Sequence, residues 1–440
     1  MQTATTDANS VYRKIAWRLV PLLVLGYIVA YLDRSNIGFA KLQMSHDLGF
    51  SDAVYGLGAG LFYLGYSAFE IPSNLVLRRI GARLTFARIM IIWGLVSGAF
   101  ALIETPLQFH VLRFLLGCAE AGFFPGVLLY MTYWIPAARR ARFTALFMSA
   151  MALSGLFGGP LSGWVMSSMQ GFGGLRGWQW MFIVEAAPAV VLGVITLFYL
   201  VDRPEQARWL TDAEKDVVKR DLDKEEAKQR QASTGTSILD AFRDRRLYAL
   251  GAMAIALLAG IGGISFWLPS ILRASGIKEI WQIGVLSAIP YLAALVAQQW
   301  IAYRSDRRQE RRWHAGVCAA IGGASWLLMP SFSDQPGASL VLLTLVAAGS
   351  FGATGPFWSM PGALLTGKAA AAGIALVTTF GGIGGFIIPI IVGWATTKTG
   401  TLAAGQYFYG AVMLVAAMLL VWGTRAREAR VPTQPATQVP

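Results

Sequence analysis

Four ionisable side chains sit inside long apolar runs of this 440-residue chain. Asp33 and Arg34 fall in YIVAYLDRSNIGF, and Arg113 and Glu120 fall in VLRFLLGCAEAGFFPG. A charged group placed mid-span costs about 2.5–3.5 kcal/mol on insertion scales, so each is a functional candidate by default. A carboxylate in low dielectric resists ionisation, so it can take up a proton facing one side of a membrane and release it facing the other. A guanidinium stays charged and presents a planar fork that matches a carboxylate. Two of each suit the coupled movement of protons and an organic anion. The bland alternative is a pair of interhelical salt bridges that only hold a bundle together.

Spacing adds geometry. Arg113 and Glu120 stand seven residues apart, which on a helix is one face and about 10 Å along the axis. Tyr27, Tyr31, Arg34 and Ser35 share a single polar-aromatic face. Asp33 is turned about 100° away from Arg34, so the two need not share a partner. A first span beginning near Val20 puts Asp33 in the outer half of a bilayer, and Glu120 then falls near the middle. Arg113 or a neighbouring helix is expected to neutralise Glu120.

The elements that carry these residues are membrane spans. Apolar residues make up 55% of the chain, charged residues 14%, and 48 residues are Gly. A soluble domain carries about 25% charged residues, and Gly is frequent where membrane helices pack closely. Apolar stretches of span length recur near 18–41, 53–77, 84–104, 107–134, 142–166 and 178–201. They recur again near 246–272, 282–303, 314–332, 338–360, 370–397 and 404–424. The expected fold is an all-α membrane protein of 12 transmembrane helices in two pseudo-symmetric six-helix bundles. The expected division is a first bundle over 1–201, a cytoplasmic linker over 202–245, a second bundle over 246–424 and a cytoplasmic tail over 425–440. The linker sequence DRPEQARWLTDAEKDVVKRDLDKEEAKQRQ reads as a solvated helix of mixed charge.

Most of the 37 Lys and Arg fall on one side of this layout, among them Arg78, Arg79, Arg83, Arg139, Arg140 and Arg304. The positive-inside rule then places both termini in the cytoplasm. It also explains the net charge of +13 without invoking nucleic acid. Cys118 and Cys318, one per half, make neither a disulfide framework nor a metal site. His46, His110 and His314 fall at separate span ends, and no hydrolase triad or HExxH pattern appears. Neither a catalytic activity nor a cofactor is expected. Glu70, Glu185, Gln298 and Gln299 read mainly as structural. Trp358, Thr378 and Thr379 are candidates for lining a cavity in the second half.

The stretch FYLGYSAFEIPSNLVLRRIGARLTFARIMIIWG resembles the helix 2–3 signature of the major facilitator superfamily. AYLDRSNIGFA, RFLLGCAEAGFFPGVLLYMTYWIP, LSGLFGGPLSGW, DRPEQARWLT and RSDRRQERRWH narrow the resemblance to its anion:cation symporter family. That family includes bacterial tartrate, sugar-acid and phthalate-type permeases. The resemblance implies that Arg34 and Arg113 contact a substrate anion, that Asp33 and Glu120 carry protons, and that Tyr31 stands near the substrate. It implies a gating motif at Arg79, Gly81 and Arg83, with a second copy at Asp306 and Arg307. Arg78 replaces the acid usual in the first copy. Relatives often carry Asn in the eleventh span, where this chain has Val377, Thr378 and Thr379, which leaves fewer donors for substrate hydroxyls.

The function expected from these residues together is proton-coupled import of an organic carboxylate by alternating access, in a bacterial inner membrane. Arg34, Arg113, Tyr31, Thr378 and Trp358 are the expected substrate contacts. Tartrate-like and sugar acids compete with aromatic acids such as phthalate, hydroxyphenylacetate or nicotinate. Its partners are a small organic anion, protons and lipid, and it acts as a monomer. An exchanger or exporter of the same fold, or a membrane sensor of the acid, are the rival readings.

Overall fold

A computed structural model of the protein describes residues 7–232, 244–361 and 367–424. All regular structure among them is helical. The first half contains α1 (Ala8–Leu48), α2 (Asp52–Ile80), α3 (Ala82–Ala99), α4 (Pro106–Glu120), α5 (Phe123–Thr132), α6 (Ala137–Ser168) and α7 (Gly177–Tyr199). A linker helix follows, α8 (Asp212–Ala232). The second half contains α9 (Arg245–Ala274), α10 (Ile280–Arg308), α11 (Arg312–Leu328), α12 (Pro336–Trp358), α13 (Gly367–Thr399) and α14 (Ala403–Gly423). Parts of the expected linker and all of the expected tail lie outside the described residues.

Local sequence sets the helix ends. Ser51 accepts a hydrogen bond from the Val54 amide, and Thr105 forms a capping box with Gln108 while Pro106 opens the helix. Such caps satisfy amides that a helix start leaves without intrahelical partners. Eleven described spans are long and apolar enough to cross a membrane, with α4 and α5 together making one of them. The twelfth is α2, 29 residues long, whose Gly and Tyr residues dilute its hydropathy.

Several boundaries differ from expectation, the most at the first helix, which also runs on past 41 to Leu48, and in the fourth span. The first helix starts at Ala8, ten residues early, because its N-terminal turns dock on the linker. Tyr12 donates to Asp221 at 3.1 Å and Lys14 pairs with Glu214 at 2.8 Å. The fourth span is not one helix over 107–134. It breaks after Glu120, where Ala121 is extended and Gly122 has a φ of 88°. A side chain at Gly122 would also overlap Ser73 of α2, so the break lets α2 approach closely.

The helix pairings repeat between the halves. In the first half α1 packs on α6 and α7, α2 on α4, and α3 on α7. In the second half α9 packs on α13 and α14, α10 on α12, and α11 on α14. These are the same pairings shifted by one bundle, so the two halves are pseudo-symmetric, as internal repeats in transporters are. Across the halves, α1 meets α9, α2 meets α13, and α6 meets α10, which is again symmetric.

Glycine makes those crossings close. A Cβ at Gly56 would strike the Pro389 carbonyl, one at Gly60 the Phe386 carbonyl, and one at Gly159 the Gly284 carbonyl. These contacts lie toward the end of the molecule remote from the linker. On α13, Gly385 lies against Tyr63 and Gly382 against Ser67. Thr378 is one turn further along the same face and is exposed. Across the halves, α2 and α13 therefore meet closely at the end remote from the linker and part toward the linker end, where Thr378 is exposed.

Candidate functional site

Arg34 of α1 and Glu120 of α4 form a buried ion pair, Nε to Oε2 at 2.8 Å, with side-chain exposures of 12% and 0%. Their pairing joins the first and fourth spans inside the first half. Of the two expected neutralisers of Glu120, Arg113 or a neighbouring helix, it is the neighbouring helix that supplies the cation, through Arg34. Spacing along a helix identifies only neighbours on that helix, whereas α1 packing decides which guanidinium reaches the carboxylate.

Arg113 is buried. Its Nε donates to the Gly58 carbonyl at 3.3 Å and its Nη2 has no hydrogen-bond partner. No carboxylate pairs with it among the described residues. Phe62 separates the two cations, with the Arg34 guanidinium 5.2 Å and the Arg113 guanidinium 5.1 Å from its ring. Arg34 also stands 5.0 Å from the rings of Tyr31 and Tyr66. Aromatic faces attract a cation even where no counter-charge pairs with it, so Arg113 is held while its Nη2 stays in reserve. Phe62 and Tyr66 went unremarked in the sequence because an aromatic residue in a span reads first as packing.

Asp33 is buried and turned away from Arg34, as its rotation along the helix predicts. Its Oδ1 accepts from Ser97 of α3 at 2.7 Å and from Asn36 at 3.5 Å, and its Oδ2 has no partner. Glu120 Oε1 is likewise unpartnered. Tyr27 backs the site, its ring edge-on to that of Tyr31 at 5.3 Å. It stacks on Phe147 at 4.4 Å and on Phe124 at 5.4 Å. Ser35 donates to the Leu32 carbonyl and borders a small cavity between the halves, opposite Tyr291.

The second-half candidates stand apart from this cluster. Thr378 donates to carbonyls of its own helix, Ile374 and Ala375, and Thr379 donates to Ala375. Both are exposed where the halves part. Trp358 ends α12, 39% exposed, with its ring 5.0 Å from Phe357. Gln299 ties the halves through Ser149 at 2.6 Å, and Gln298 donates to Thr354 at 3.3 Å. Glu70 is partly buried, and its carbonyl accepts from Asn74.

At the linker end, Gly81 takes a φ of 88° between α2 and α3. Asp202, outside the expected motif, accepts from the Arg83 amide at 2.8 Å and fills the space where a Gly81 side chain would stand. It brings a carboxylate to the turn whose usual acid is replaced by Arg78. The Arg79 and Arg83 side chains are exposed. In the second copy Asp306 pairs with Arg311 at 2.9 Å, and Arg307 lies 5.7 Å from the Tyr303 ring.

Two pseudo-symmetric helical bundles that meet across close glycine crossings, with a cluster of charges buried in the first, have the architecture of a membrane carrier. The Major Facilitator Superfamily profile matches residues 23–389. The chain belongs to that family and is a membrane transport protein. It is 45% identical over 435 residues, covering 99% of this chain and 96% of the other, to a protein of Agrobacterium vitis named "Putative tartrate transporter". It is 43% identical over 413 residues, 94% of each chain, to "Putative metabolite transport protein NicT" of Pseudomonas putida. Among solved structures, a D-xylose-proton symporter superposes with a TM-score of 0.73 at 14% identity, covering 92% of this chain and 97% of that one. That last likeness concerns the fold alone.

Proposed function

We propose that this chain is a proton-coupled symporter that imports a small organic carboxylate by alternating access. The observation that carries the reading is Arg113, a buried guanidinium with a free Nη2 beside a second guanidinium. An uncompensated buried cation is costly, and a substrate carboxylate supplies the missing partner as a two-point acceptor.

Coupling follows from the Arg34–Glu120 pair. While Glu120 is charged it occupies Arg34. When it takes a proton the pair weakens, and Arg34 is free to join Arg113 in holding the substrate anion. Release of that proton on the other side restores the pair and expels the anion. Asp33, held by Ser97 and Asn36, is the second proton carrier. Tyr31, Tyr63 and Tyr66 offer hydroxyls and ring faces beside the bound acid, and Thr378 and Trp358 face its exit path. Gly81, Arg79, Arg83, Asp306 and Arg307 form the gate at the linker end, with Asp202 supplying its acid.

Bundles over 1–201 and 246–424, a cytoplasmic linker over 202–245 and a cytoplasmic tail over 425–440 complete the assignment. The placement of Lys and Arg makes the parted end cytoplasmic in a bacterial inner membrane, so the described state faces inward. The carried acid is a tartrate-like hydroxyacid, in keeping with the Agrobacterium relative, or an aromatic acid suited to the rings around Arg34. The test is uptake of labelled tartrate into proteoliposomes under an inward proton gradient, with nicotinate, phthalate and sugar acids as competitors. Accumulation that survives collapse of the gradient overturns symport in favour of exchange or facilitated passage.

A further inference from the structure

Lys41 of α1 is a buried ammonium at the end of the molecule remote from the linker, and the mechanism above gives it no part. Only 9% of its side chain is exposed, and it forms an ion pair with Asp52, the first residue of α2, whose side chain is 30% exposed. That pair lies within the first half. The ammonium is also seated on a ring of the second half, with Nζ 3.8 Å from the centroid of Trp267 on α9. Tyr55 of α2 stands beside both, its ring 4.8 Å from Nζ and edge-on to the Trp267 ring at 5.5 Å. The Tyr55 hydroxyl donates across the halves to the Phe266 carbonyl at 3.1 Å. The backbones of α1 and α9 are close here, since a side chain at Gly38 would overlap the Ser265 carbonyl.

We infer that Lys41 and Trp267 form a latch for the end remote from the linker, and that their contact sets how often that end opens. This rests on the alternating-access reading above. An ion pair that merely fastened the turn between α1 and α2 would need neither burial nor a ring from the other half. With both present, the seat responds to the distance between the halves. Attraction of a cation to an aromatic face grows as water is excluded. While the halves touch, the ring and Asp52 together hold a desolvated ammonium. When they part, the ring leaves with α9, Asp52 stays, and water takes up the freed face of the ammonium. Recovered hydration offsets the lost ring contact, so the two states stay close enough in free energy for a carrier to visit both. The latch is also tied to the substrate charges through α2. Tyr55 stands one turn from Gly58, whose carbonyl accepts from Arg113, and two turns from Phe62, which separates the two guanidiniums. Lys41 acts through Trp267 and is a positioning residue of the cycle.

The experiment follows opening with a cysteine placed at Ser287, fully buried where α10 crosses Gly159 of α6, a different pair of helices from those of the latch. The full chain, in vesicles sealed with the face remote from the linker outward, meets an impermeant thiol reagent. The chain without the added cysteine serves as blank, and neither substrate nor gradient is present. Trp267→Leu keeps the ion pair and removes the ring, so the labelling rate should rise about tenfold, as loss of one desolvated cation–aromatic contact requires. Trp267→Phe keeps an aromatic face and Lys41→Arg keeps the cation, so each should stay within about threefold of wild type. The deciding measurement repeats Trp267→Leu in a Lys41→Met background. The ring then has no cation to hold, so its removal should change labelling by less than about twofold. Trp267→Met takes the place of Trp267→Leu in both backgrounds should the latter not insert. An equal rise in the two backgrounds would make Trp267 a packing residue only and overturn the latch, as would a wild-type labelling rate without the ring. Neither result touches proton-driven uptake, and failure of uptake to follow the proton gradient leaves this labelling as it stands.

Discussion

Arg34 and Arg113 differ in what surrounds them, and their variants should differ accordingly. Arg34 neutralises Glu120, so Arg34→Ala leaves a buried carboxylate alone, a defect typically worth about 3–5 kcal/mol. Thermal unfolding in detergent should show a large drop in midpoint for that variant. Arg34→Ala combined with Glu120→Gln should recover most of the midpoint without recovering uptake. Recovery of uptake in the double variant would show that Arg34 serves only to balance Glu120. Arg113 has no counter-charge to orphan, so Arg113→Ala should fold with little loss and yet abolish uptake. Arg113→Lys should also fail, because an ammonium cannot present the planar fork. Near-normal import by either would remove Arg113 from the substrate site. Asp33→Asn and Glu120→Gln should both lose concentrative uptake while purified protein still binds the acid, read by calorimetry. Retained accumulation in Glu120→Gln would leave Asp33 as the coupling group.

At the scale of elements, the close Gly crossings give the second kind of prediction. The state described here needs α2 against α13 and α6 against α10 with almost nothing between them. Gly56→Leu or Gly159→Leu should oppose that closure and favour the opposite state. Labelling of a cysteine placed at Thr378 by an impermeant reagent from the linker side should then fall severalfold. Unchanged labelling would mean that these glycines do not limit closure. The same elements show how much was legible beforehand. The spans, their pairing into halves and the buried charges followed from hydropathy and from the cost of a charge in lipid. The break at Ala121 and Gly122 did not, because two small residues in an apolar run look like helix packing until Ser73 is seen to press on them. Neither Arg34 as the partner of Glu120 nor Asp202 beneath Gly81 was legible. Both depend on residues far apart in sequence that only three-dimensional packing brings together.

For the whole molecule, alternating access requires the closed end to open. The Ala53 amide donates to Thr397 Oγ1 at 2.8 Å across the halves at that end. A disulfide between Ala53→Cys and Thr397→Cys should lock it shut. Oxidation should then stop uptake almost completely and a reductant should restore it, as followed on proteoliposomes. Uptake that continues with the bond demonstrably formed would show that the halves do not separate there during the cycle.

The linker helix α8 is fastened to the first half by Lys14, Tyr12 and Arg140, which reach Glu214, Asp221 and Glu225, and the segment leading into it by the stacking of Trp134 on Trp209. Any tilt of the first half against its neighbour therefore sweeps α8 along with it, so a fluorophore carried on α8 would report the attitude of that half without touching a single span.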